Sequence, residues 1–152
     1  MILYYSRTQK TRVCAEALHD VTGLPLYAFE SDVNQLTNMR FLLRIARLVV
    51  MRNECPIVNM PVNIPGEIYL CGPIWAGALA LPVKYFLKHA DLKGKKVHLL
   101  ITASIATQQH RDTVLKALSY TGCIPGEVYQ FATTKELPER MFIAEQLREM
   151  FS

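Results

Sequence analysis

Long apolar runs, paired cysteines and glycine signatures are all missing from this chain of 152 residues, and each absence removes a class of chemistry. The cysteines, Cys14, Cys55, Cys71 and Cys123, are widely separated and form no CxxC pair. That argues against a disulfide framework and against a zinc site, and fits a reducing cytoplasm. Neither HExxH nor CxxC…CxxC occurs, so no metal is expected. GxGxxG does not follow the first strand, and GxxxxGK[ST] and GxSxG are absent, which removes a dinucleotide fingerprint, a P-loop and a nucleophile elbow. The first strand ends in Tyr4, Tyr5 and Ser6, without the carboxylates of a phosphoacceptor. The apolar run before Arg7 is only about four residues long, too short for a secretory signal. The longest apolar stretch, Phe41–Met51, is broken by Arg44 and Arg47, so no transmembrane segment is expected. The formal net charge of +4 is mild and dispersed, and nucleic-acid binding is not expected.

What remains is an ordinary globular balance, with 51% apolar and 20% charged residues in a length that suits one domain over residues 1–152. Strand and helix signals alternate. Ile2–Tyr5 reads as a strand, and a helix opens with Val13, Ala15, Ala17 and Leu18. Leu24–Phe29 reads as a second strand, at an edge because of Pro25. Ser31–Leu36 reads as loop. Thr37–Arg52 has helical period, with Arg40, Arg44, Arg47 and Met51 on one side and Leu42, Ile45, Leu48 and Val49 available to fill another. The proline-rich Asn53–Pro65 is a connector. Glu67–Cys71 reads as the third strand, followed by a loop through Gly77 and a helix over Leu79–Ala90. Lys96–Thr102 is the clearest buried strand. Ala103–Gln108 reads as loop, Arg111–Tyr120 as helix, Glu127–Phe131 as a fifth strand, and Glu136–Met150 as a closing helix with Phe142, Leu147 and Phe151 on or near its buried side. Such alternation implies a parallel sheet covered on both faces.

The first eighteen residues carry the strongest functional signal. A strand feeds a helix through Ser6-Arg7-Thr8-Gln9-Lys10-Thr11. Amides at a helix N-terminus lack intrahelical partners, and the dipole there favours anions. Ser6, Thr8 and Thr11 add hydroxyls, and Arg7 and Lys10 add positive charge, so a phosphate monoester is the natural ligand. The plainer reading is that Ser6 or Thr8 caps the helix.

The run Ile2–Thr11, with Ala15 and Leu18, resembles the phosphate-loop signature of the flavodoxins. Tyr69-Leu70-Cys71-Gly72-Pro73-Ile74-Trp75-Ala76-Gly77, continuing through Leu81-Pro82-Val83 and Phe86-Leu87, resembles that family's third strand, flavin loop and third helix. Leu92–Val97 is similar to the lead-in to its fourth strand. The resemblance implies a three-layer flavodoxin-like α/β fold, with a five-stranded parallel sheet in the order 2-1-3-4-5 and helices on both faces. It implies FMN as cofactor. Ser6, Arg7, Thr8, Gln9, Lys10 and Thr11 would hold the phosphate. Pro73, Ile74, Trp75, Ala76 and Gly77 would flank the ring, with Trp75 over one face and the Ala76–Gly77 peptide near flavin N5. Thr102, Ala103 and Ser104 would meet the pyrimidine edge. No catalytic acid or base is required.

Two departures from the family's pattern set expectations of their own. Gln9 stands where a glycine or another very small residue is usual, so its loop must keep φ negative or accept strain. If FMN is bound, the Gln9 side chain should point to solvent and only its amide should face the phosphate. The loop Thr102–Thr107 contains no glycine. Together they motivate a second reading, a flavodoxin-like domain that binds no flavin and acts as a binding or regulatory module. Under the first reading the protein is an electron carrier or a small FMN oxidoreductase, and its partner is a redox protein or a nicotinamide nucleotide.

Overall fold

The structure is a computed structural model and describes residues 1–133, 136 and 138–152. Its strands are β1 (Ile2–Tyr4), β2 (Leu26–Ala28), β3 (Glu67–Trp75), β4 (Ala78–Leu79), β5 (Lys96–Ala103) and β6 (Ile124–Ala132). Its helices are α1 (Lys10–Thr22), α2 (Asn38–Val50), α3 (Leu81–His89), α4 (Gln108–Ser119) and α5 (Arg140–Phe151). The sheet runs β2-β1-β3-β5-β6, with parallel pairing throughout that path and β4 folded back antiparallel on the end of β3. With the β4 hairpin set aside, this is the order 2-1-3-4-5 expected from the sequence. Ile2 pairs with Leu26 on one side and Tyr69 on the other, which makes β1 a central strand.

Alternation along the strands divides two cores. Leu3, Leu70 and Leu99 face one side with Val83 and Phe86 of α3, Val114 and Leu118 of α4, and Leu48 of α2. Ile2, Cys71 and Leu100 face the other with Cys14, Ala15 and Leu18 of α1 and Ile143, Ala144 and Leu147 of α5. Strands buried on both faces read as continuous apolar runs, which is why Lys96–Thr102 was so legible. At Gly72 the sheet lies directly under α3: a Cβ there would stand 2.7 Å from Val83 Cγ2. A larger residue would push that helix off the sheet.

Several boundaries differ from the sequence reading. β3 continues through Pro73, Ile74 and Trp75, which were expected to be loop, and pairs with β4 through Ile74–Leu79 and Trp75–Ala78. The last bond from β1 to β3 is Tyr5 N–H to Cys71 O at 3.1 Å, so the missing N–H of Pro73 falls beyond it and interrupts no ladder. Ala76 (φ 48°) and Gly77 (φ 80°) form the turn between these strands. Two successive positive φ values match the twist of a tight hairpin. α3 accordingly starts at Leu81, with Pro82 in its first turn where no N–H is needed. Asp32–Gln35 is a short 3₁₀ turn rather than loop. β6 begins early, at the sheet edge, where Pro125 is tolerated.

In α5 the stripe Ile143, Ala144 and Leu147 takes the buried face, leaving Phe142 exposed against expectation. Leu137, within the expected closing helix, lies outside the described residues. In α2 only Leu48 is buried, with Phe41 and Ile45 partly covered, so Leu42 and Val49 do not fill the core. No described helix is long and apolar enough to cross a membrane.

Candidate functional site

The sheet order changes direction between β1 and β3, and the loops leaving their carboxyl ends meet there. In an open α/β sheet this switch point is where a crevice forms. The cleft found here has a volume of 190 Å³ and is lined by Arg7, Thr8, Lys10, Thr11, Phe41, Pro73, Ile74, Trp75, Thr102, Ala103, Ser104 and Thr133. No carboxylate is among these residues, and two are cationic, which makes the cleft electropositive. The structure therefore brings together all the site residues expected from the sequence except Ser6, Gln9, Ala76 and Gly77, which border the cleft in sequence without lining it.

In the loop between β1 and α1, Gln9 occupies the cap position of α1 in the left-handed conformation, with φ 67° and ψ −11°. The loop has accepted strain rather than kept φ negative, at a cost of about 1–2 kcal/mol for a residue with a Cβ. The Gln9 side chain is exposed; its Oε1 accepts from Arg12 Nη1 at 3.4 Å. It makes no capping bond to the helix. Ser6 does not cap either: its Oγ is buried and has no partner among the described residues. The plain capping reading is thus not what Ser6 does.

Thr11 is buried in the first turn of α1, and its hydroxyl lies 2.7 Å from that of Thr102 on β5. The pair fixes the first loop against the third. Arg7 extends away from the loop toward α2. Its Nη2 donates to Leu36 O at 3.2 Å and to Asn38 Oδ1 at 3.0 Å, and its guanidinium carbon lies 3.9 Å from the centroid of Phe41. Its buried Nε has no partner among the described residues.

Trp75, half-buried, forms the opposite wall. It meets Tyr5 edge-on at 5.6 Å between centroids and Phe41 edge-on at 5.0 Å, the geometry aromatic quadrupoles prefer. Tyr5 is fully buried, and its hydroxyl donates to Asn34 Oδ1 at 2.6 Å, which holds the 3₁₀ turn under this wall. Burial is also the main cause that raises the Tyr5 phenol pKa. Below the turn, burial pushes the Cys71 thiol well above its ordinary value, as suits a small core residue rather than a nucleophile.

Phe41 and Thr133 were missed by sequence reading. Phe41 sat in a helix whose placement no local pattern reveals. Thr133 enters because its N–H donates to Ala103 O at 2.7 Å, extending the β5–β6 pairing past the strand end.

No protein-family model matches the sequence, and no curated protein does. Solved structures do match. A candidate flavoprotein from Bacteroides eggerthii aligns with a TM-score of 0.73 at 21% identity, covering 99% of this chain and 96% of that one. A flavoprotein from Lactobacillus acidophilus, solved in complex with FMN, aligns with a TM-score of 0.67 at 20% identity, covering 85% of this chain and 90% of that one. The two-electron reduced flavodoxin of Megasphaera elsdenii aligns with a TM-score of 0.56 at 16% identity, covering 98% and 99%. TM-scores of 0.56 to 0.73 over 85% to 99% of the chain, together with the parallel order β2-β1-β3-β5-β6, establish that this chain has the flavodoxin-like fold.

Proposed function

We propose that the chain binds FMN in the cleft between β1 and β3 and works in electron transfer or flavin-dependent redox chemistry. The observation that carries this reading is the buried Ser6 Oγ, left without a partner in the strand-to-helix loop beside an electropositive cleft that contains no carboxylate. Leaving such a hydroxyl unpaired costs about 1–3 kcal/mol, which a phosphate oxygen would offset. That structural neighbours include an FMN complex supports the choice of anion.

The residues present suit the group. The amides of Thr8 to Thr11 and the hydroxyls of Ser6 and Thr8 would receive the phosphate at the positive end of α1. Thr11, already paired with Thr102, would position the loop. Trp75 would cover the ring, and Thr102, Ala103 and Ser104 would meet its polar edge. Bound FMN supplies reversible electron transfer, and the protein's part is to hold it and set its surroundings. The Gln9 side chain is exposed, meets Arg12 and is not among the residues lining the cleft, which supports occupancy over a flavin-free module.

Trp75 is the sole tryptophan, so its fluorescence reports the site directly. Titration with FMN should quench it and produce a yellow complex. Trp75→Ala, followed by flavin fluorescence instead, should weaken binding about tenfold or more through lost stacking. A colourless protein whose fluorescence is indifferent to FMN would overturn this reading and leave the binding-module one. Oxidation of NADH or NADPH by the FMN-loaded protein would mark an enzyme; its absence would mark a carrier served by a redox partner.

A further inference from the structure

α2 is the least covered helix of the fold. At about 100° per residue, its core-facing stripe of Phe41, Ile45 and Leu48, of which only Leu48 is fully buried, occupies one narrow arc. Met39, Leu42, Leu43, Val49 and Val50 spread over a further arc of about 120°, and every one of them is exposed, from 58% at Val49 to 82% at Val50. Beside that arc runs a row of Arg40, Arg44 and Arg47. No acidic residue occurs from Asn38 to Val50. Among the described residues the only ion pair of the row is the exposed Arg44–Asp32 contact at 3.5 Å. α2 is also the most strongly amphipathic of the five helices.

Monomeric soluble surfaces rarely keep such a contiguous aliphatic face in water. We propose that α2 docks the protein on the surface of an anionic phospholipid bilayer, with its aliphatic arc in the headgroup–acyl boundary and the arginine row on lipid phosphates. The charge decides among occupants. A second copy seated on this face would bring two arginine rows together with no carboxylate on either helix to pair them. The arc holds no Trp or Tyr, the anchors that dominate the binding energy of protein interfaces. An apolar arc bordered by cations, lying flat and too short to span, is the chemistry an anionic membrane surface takes. The docking is independent of whether flavin fills the cleft.

The test is sedimentation of the full chain with vesicles of phosphatidylcholine alone and of phosphatidylcholine with phosphatidylglycerol. Binding is expected only to the anionic vesicles and should fade at high salt. Each arginine near such a surface contributes roughly a factor of five, so R40Q/R44Q/R47Q should lose about a hundredfold in partitioning. L43S/V50S, altering two exposed side chains, should also release the protein while leaving its thermal melt unchanged. Failure to sediment with anionic vesicles would overturn the proposal, as would equal binding by the triple-arginine variant. So would a dimer, seen by light scattering, that L43S/V50S dissociates. If a variant does not fold, the contrast between neutral and anionic vesicles for the wild-type chain decides alone.

Discussion

Arg7 makes a sharp test, because its position in the phosphate loop and its contacts assign it different jobs. As a loop cation it would act by charge on a bound phosphate. As the structure has it, it is a clasp, donating to Leu36 O and Asn38 Oδ1 and sitting over the Phe41 ring. Arg7→Lys separates these, since lysine keeps the charge but loses the planar fork and most of the stacking. The stacking is worth about 0.5–1 kcal/mol, and the two partly exposed hydrogen bonds roughly 0.5–1 kcal/mol each, so the clasp amounts to about 2 kcal/mol. For a chain of this size that loss lowers Tm by about 4–8 °C. The effect should be local: hydrogen exchange over Asn38–Leu48 should accelerate, while amides of α1 and β5 exchange as before. FMN affinity should change little in the lysine variant. If Arg7→Lys leaves Tm and α2 protection at the wild-type level, the clasp assignment is wrong and Arg7 acts through its charge alone.

Other outcomes follow from single features. Gln9→Gly should raise stability by about 0.5 kcal/mol, the relief of left-handed strain outweighing the flexibility added to the unfolded chain; a lower denaturation midpoint would refute it. Native alkylation followed by mass spectrometry should modify Cys123 first: Cys55 is nearly inaccessible, and burial pushes the Cys14 thiol up to about 12 and the Cys71 thiol well above its ordinary value. Prior labelling of Cys14 or Cys71 would contradict the packing. The Glu67 carboxyl is held below its ordinary value, first by the bond from His98 and then by Lys96. Its contribution is present above the ordinary value of 4.5 and is lost as pH falls through the lowered one. The Tm gap between wild type and Glu67→Gln should therefore close in acid, and a gap constant with pH would count against the pairing.

The sheet was legible because its central strands are buried on both faces, so Ile2-Leu3 and Val97–Ile101 announce themselves without a partner. The loop Ser6–Thr11 stood out as a candidate anion site because its hydroxyls and cations are contiguous. Features made by tertiary pairing were not. Pro73 read as a strand stop, yet it lies where β1 has ended and its missing N–H is harmless. Ala76 gave no hint of a turn needing positive φ. Phe41 lines the cleft in contact with Arg7 and Trp75, and nothing local to α2 records contacts with residues 7 and 75. The uncovered face of α2 was half legible: the arginine side was visible in the spacing, but which aliphatics met the core depended on how little of the helix touches the sheet.

The two ends of the sheet differ in how well their buried polar groups are satisfied, and that difference supports the site proposed at the carboxyl end. At the amino end, His98 Nδ1 accepts the Glu127 N–H at 3.0 Å, so the ring proton is on Nε2, which donates to Glu67 at 2.8 Å. The ring stacks on Tyr69 at 4.6 Å and fills the space a Cβ on Gly126 would need, 2.7 Å away, beside the shift in β5–β6 register. Among the described residues, no buried side-chain polar atom there lacks a partner. At the carboxyl end the rules are broken together. Ser6 Oγ, Arg7 Nε, His110 Nδ1 and Gln130 Oε1 are the buried side-chain atoms without partners among the described residues. All four follow or approach the carboxyl ends of β1, β5 and β6. Of the non-glycine residues with positive φ, Gln9 and Ala76 belong to the loops after β1 and β3, and the third, Arg52, follows α2, where a left-handed residue is an ordinary helix ending. Strain and unmet hydrogen bonds persist where surrounding structure over-determines them, and they gather where a ligand completes the site. A fold with no role for its carboxyl end would have no reason to concentrate both there.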